Sequence, residues 1–129
     1  MLKGKTNSTE YNLITDKDIK YSYSETKTGS VWVDGKAIYR RVFKVTNKAL
    51  SDTAVIQRFA KSNFNELVNV RAFMQGQSGD YVPFTRVGGS GKGSGIEYSA
   101  SNNGFIYRGN DSWGAQSTRW VIIIVEYTK

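Results

Sequence analysis

The chain has no cysteine, no histidine and a single proline among its 129 residues. Without cysteine there is no disulfide framework, no thiol nucleophile and no sulfur ligand for zinc. Without histidine there is no imidazole base and no nitrogen ligand. Most hydrolase templates fall with them, and no cofactor or metal is expected. A carboxylate pair or a lone activated serine stays formally open, but no spacing in the sequence asks for either. Lack of cysteine suits assembly in a reducing cytoplasm and equally suits later work outside a cell. No run approaches the roughly 20 apolar residues of a membrane span, and residues 1–10 have no signal-peptide core. A soluble chain with no export signal of its own and no membrane insertion is the expectation.

Acidic residues are the minority charge. Eighteen Lys and Arg against eleven Asp and Glu give a net charge of +7, which favours anionic partners such as nucleic acid, phosphate-bearing polysaccharide or an anionic surface. The cations are scattered. The densest group is Arg40, Arg41, Lys44 and Lys48, and on a strand Arg40 and Arg41 point to opposite faces. A nucleic-acid site needs one basic face, so nucleic acid is not the expected partner.

Residues 1–20 are polar with scattered Leu13, Ile14 and Ile19, and read as an N-terminal arm or linker of something longer. From Tyr21 to Lys129 β-branched and aromatic residues alternate, with turn signals about every 8–12 positions, the pattern of one all-β domain. Asp34-Gly35 between the arms Val31–Val33 and Ala37–Thr46 signals a hairpin with a type I′ turn, positive φ at both residues. On the second arm Tyr39, Phe43 and Val45 share a face that Arg41 interrupts, which places Arg41 near an edge or an interface. Residues 51–74 are ambiguous. Ile56, Phe59, Ala60, Phe64, Leu67 and Val68 have near-helical spacing, yet Ser62-Asn63 is turn-like and residues 68–74 alternate. The reading adopted is a strand near 53–59, a turn or one helical turn near 62–67, and a strand at 68–75. Gln75–Asp80 is a hairpin loop, and Pro83 marks the arm 81–87 as an edge strand. Gly88–Gly95 lacks Walker spacing and reads as a flexible loop. Asn102-Asn103-Gly104 joins a last hairpin, and Asn110–Ser117 is an exposed loop before the final strand.

That strand, Arg119–Lys129, puts Val121, Ile123, Val125 and Tyr127 on one face and Trp120, Ile122 and Ile124 on the other. Both faces are apolar. A strand with one solvated face alternates apolar with polar, so Trp120, Ile122 and Ile124 are expected at an oligomer interface or under another layer of the chain.

The segment Gly29-Ser30-Val31-Trp32-Val33-Asp34-Gly35-Lys36-Ala37-Ile38-Tyr39-Arg40-Arg41 resembles the opening Gly-x-Trp-Ile-Asp-Gly-Lys-Pro-Ile-Tyr-Arg-Lys hairpin of the C-terminal head domains of bacteriophage tail and baseplate receptor-binding proteins. Ser62–Glu66, Asp80–Phe84 and Val125–Lys129 follow in that family's order, over about residues 22–129, with Ala37 in place of the family's proline. The resemblance implies an antiparallel β-sandwich head, jelly-roll-like and homotrimeric. It implies a virion protein of the tail tip or baseplate, assembled in the host cytoplasm, that recognises host cell-surface polysaccharide without enzymatic activity. A structural tail module binding other phage proteins is the alternative, and a small polysaccharide hydrolase built on Asp80 and Asp111 is a third reading. Sugar sites combine an aromatic face with a few polar groups. Trp113 with Asp111, Asn110, Tyr107, Arg108 and Arg119 is the candidate saccharide site; Trp113 as a packing anchor of its loop is the competing reading. Trp32 is expected in the hairpin core rather than as a ligand platform, and Trp120 in the core or an interface. Tyr81 and Tyr98 line an inter-subunit groove or a solvated strand face.

Overall fold

The computed structural model describes residues 20–46, 50–84, 94–109 and 118–129. The 1–19 part of the arm, most of the glycine-rich loop and the 110–117 loop lie outside them. Among the described residues the strands are β1 (Thr26–Val31), β2 (Ala37–Thr46), β3 (Val55–Arg58), β4 (Glu66–Gly76), β5 (Tyr81–Pro83), β6 (Ser94–Ser99), β7 (Gly104–Gly109) and β8 (Thr118–Thr128). The chain is all-β with antiparallel pairing, and none of its described residues forms an α-helix. The ambiguous 51–74 region is strand, one 3-10 turn at Lys61–Asn63, then strand. No helix among the described residues is long and apolar enough to cross a membrane.

Two sheets result. The five-stranded sheet has the order β1-β2-β8-β4-β5, and the three-stranded sheet the order β3-β7-β6. The last strand is therefore the middle of the larger sheet, bonded to β2 on one side and β4 on the other. Pro83 belongs to β5 at the outer edge, where a missing N–H leaves no ladder bond unmade.

The first hairpin corrects the expected turn. Trp32 N–H donates to Lys36 O, Gly35 N–H donates to Trp32 O, and the Asp34 carboxylate accepts from Lys36 N–H. Gly35 has φ +86° and Asp34 is not left-handed, so the loop is a type I turn followed by one left-handed glycine rather than type I′. The β4–β5 loop repeats the design: Gly79, at φ +99°, donates to Gly76 O while Gly76 donates to Asp80 O.

Residues opposite each other on neighbouring antiparallel strands share a sheet face. Val121, Ile123, Val125 and Tyr127 point inward and are fully buried. They meet Phe43 from β2, Ala72 and Met74 from β4, and Ile56, Phe105 and Tyr107 from the smaller sheet in a single core. Phe59 binds the two layers, its ring 5.5 Å from Phe43, 6.2 Å from Phe105 and 5.2 Å from Tyr127. Tyr98 closes that cluster, against Phe64 and Phe105, with its hydroxyl donating to Phe59 O at 2.6 Å. It is only partly buried and packs against the core from β6. Trp32 is only half-buried, and its indole N–H donates to Glu66.

Candidate functional site: the outer face of the larger sheet

The face of the five-stranded sheet turned away from the core is set by the register. Lys44 lies opposite Ile122 and Thr46 opposite Trp120 on one side of β8; Arg71, Phe73 and Gln75 lie opposite Ile124, Ile122 and Trp120 on the other. Tyr81 and Pro83 continue the Gln75 and Phe73 rows onto β5. Trp120, Ile122 and Ile124 are thus partly exposed in the centre of a sheet.

Three rings gather at the β5 side of this face. Trp120 meets Phe73 edge-on at 5.7 Å and Tyr81 at 5.7 Å, and Tyr81 is 69% exposed. Lys44 places its ammonium 5.8 Å from the indole centroid on the other side. A groove of about 520 Å³ runs beside the rings, lined by Val70, Arg71, Phe73, Tyr81, Val82 and Pro83. The chemistry on offer is flat π surface with a guanidinium, an ammonium and an amide around it, suited to stacking and hydrogen bonding.

Toward the other end the face is polar and satisfied. Arg40 and Glu126 pair at 2.7 Å, both side chains largely buried. The Tyr21 ring lies 4.8 Å from the Arg40 guanidinium, and its hydroxyl accepts from Arg71 at 3.3 Å. Beyond it, on the inner side, Tyr127 donates to Glu25, which also holds Lys129 at 2.8 Å. Burial pushes the Tyr127 phenol well above its usual value, and the Glu25 carboxylate adds to the shift. For Glu25 burial pulls upward, but the hydrogen bonds from Lys129 and Tyr127 outweigh it and hold the carboxyl below its usual range.

Of the residues expected at the saccharide site, Tyr107, Arg108 and Arg119 are among those described. Trp113, Asp111 and Asn110 lie outside the described residues, as does the Asp111 half of the carboxylate pair. Tyr107 is a correction: it is fully buried, packed against Phe84, and has no face to offer a ligand. Arg108 is exposed on β7 of the small sheet, 3.6 Å from Asp52 and 3.9 Å from Glu97. Arg119 is exposed on β8 of the large sheet. Phe73, not expected at a site from the sequence, and Lys44, noted there only in the basic group, sit beside Trp120, with Arg71 farther along the same face opposite Ile124. Their signal was present in the phase of β4, where Phe73 falls among the outward positions with Arg71 and Gln75. No family model matches this chain, and no curated protein and no solved structure is significantly similar to it.

Proposed function

We propose that this chain is a non-enzymatic receptor-binding head of a phage tail tip or baseplate: a jelly-roll-like β-sandwich that assembles as a homotrimer and recognises host cell-surface saccharide. The observation that carries the reading is the partly exposed Trp120–Tyr81–Phe73 ring cluster beside Arg71 on the outer sheet face. Aromatic faces stack on the C–H surface of a sugar ring, and a guanidinium and an amide at the rim serve its hydroxyls. The aliphatic row Ile122 and Ile124 has no such use for sugar and suits contact between copies. The Gly29–Arg41 segment that carries the family resemblance forms the end of β1, its turn and the start of β2. That same aliphatic row also favours a second reading, a structural tail module that binds other phage proteins through this face.

Retention of the purified chain on a panel of immobilised bacterial surface polysaccharides tests the proposal. Binding is expected to at least one polysaccharide, weakened at least tenfold by Tyr81→Ala, an exposed edge-strand change. Undiminished binding by both Tyr81→Ala and Trp120→Ala would remove the ring cluster from consideration. No retention on any polysaccharide, with co-assembly onto tail proteins, would leave the structural module. Release of reducing ends would show a hydrolase.

A further inference from the structure

Among the described residues, the edge of β2 is covered along only half its length. β1 pairs with it from Ala37 to Arg40, and Val42 N–H donates to Ser22 O at 2.9 Å. In an antiparallel ladder alternate residues turn their N–H and C=O to the same side. Lys44 and Thr46 therefore turn their backbone groups the same way as Val42, away from β8, where no described strand meets them. Edge strands left like this are templates for another strand. Beside the bare stretch lies a recess of about 380 Å³ lined by Tyr23, Arg41, Val42, Phe43, Lys44 and Gln57. Arg41 lies over the Phe43 ring at 4.6 Å and donates to Tyr23 O at 3.1 Å, so a cation stands at the mouth of the core on the inner side. Lys44 supplies a second cation on the outer side.

We propose that this edge accepts an extended, acidic segment of a partner protein by β-strand addition. The row of backbone groups selects a polypeptide in extended form, because a main-chain ladder is what completes it. The two cations select its side chains. The bare stretch ends at Val42, which Ser22 already bonds, so the segment pairs alongside Lys44 and Thr46 with one carboxylate opposite Lys44 and an apolar residue facing Phe43, then turns out of the ladder with a second carboxylate that reaches Arg41. This edge shares Lys44 with the far side of the ring cluster, but its backbone pairing does not depend on saccharide binding.

Two measurements on the full chain decide it. Amide hydrogen exchange should find Lys44 and Thr46 unprotected while Phe43 and Val45, bonded to β8, are protected. The blocked peptide Thr-Val-Glu-Val-Thr-Glu should then protect both amides and shift the Phe43 ring resonances. Its affinity should fall at least tenfold with Lys44→Glu, with Thr46→Pro, or when both peptide glutamates are glutamines. Protected Lys44 and Thr46 amides in the free chain would overturn the proposal, because the chain would already cover its own edge. So would protection that rises with protein concentration, which would make the partner a second copy, or failure to bind the peptide at millimolar concentration.

Discussion

A Cβ placed on Gly104 would fall 2.5 Å from the Gln57 carbonyl oxygen and 2.9 Å from the Arg58 Cα. Both are backbone atoms of β3, held in the ladder with β7, so neither can swing aside. Gly104→Ala should lower stability by about 1–3 kcal/mol through overpacking, read as a lower denaturant midpoint with unchanged slope; an unchanged midpoint would mean the strands separate freely there. Nothing in Asn102-Asn103-Gly104 announces that contact: the tripeptide reads as a turn, and the left-handed residue is Asn103, at φ +50°. Tyr107 was illegible for a related reason. Phe105, Ile106 and Tyr107 are all buried, so β7 shows no alternation from which the inward residues could be picked, and a tyrosine beside an arginine looks like a ligand platform. Thr53 adopts φ +66°, a conformation rare for a β-branched residue, and no sequence feature marks it.

Among the elements, the strands with strict alternation were readable and the turns only half so. β8 shows its two apolar faces in the sequence, and β2 appears with its bounds intact. The glycine of Asp34-Gly35 marks the bend, but whether the loop has two residues or three depends on which backbone pair closes it. The partners of an element are less visible still. Glu25, before β1, ties down the last residues of β8 through Tyr127 and Lys129, a link spanning 102 residues for the first bond. Its pH dependence has a definite sign. Glu25 is depressed in the folded chain, so its contribution is present above the ordinary value of 4.5 and is lost as pH falls through the lower folded value. Glu25→Gln should therefore be less stable than the parent near neutrality, with the difference shrinking on acidification through that window. Denaturation midpoints for the two chains between pH 7 and pH 3 check this, and a constant difference would show that the carboxylate's charge contributes nothing.

At the scale of the whole molecule, the order β1-β2-β8-β4-β5 pairs the C-terminal strand between two much earlier ones. Such pairing is set by complementarity between distant segments, which a local pattern does not carry. The consequence the sequence did carry is the outer apolar row of β8, and the sheet order adds what stands beside it: Phe73, Tyr81 and Arg71 on one flank and Lys44 on the other. The proposed assembly depends on that face. A single Ile122→Glu substitution would put a charge at its centre without touching the core, since Ile122 points away from Val121 and Ile123.

Sedimentation equilibrium of the parent chain and Ile122→Glu at micromolar concentration is the most direct measurement. The proposed head should sediment at three times its 14.4 kDa chain mass, and Ile122→Glu at one. A parent that sediments as a 14.4 kDa monomer, or a variant that remains a trimer, would contradict assembly through the outer face of the larger sheet.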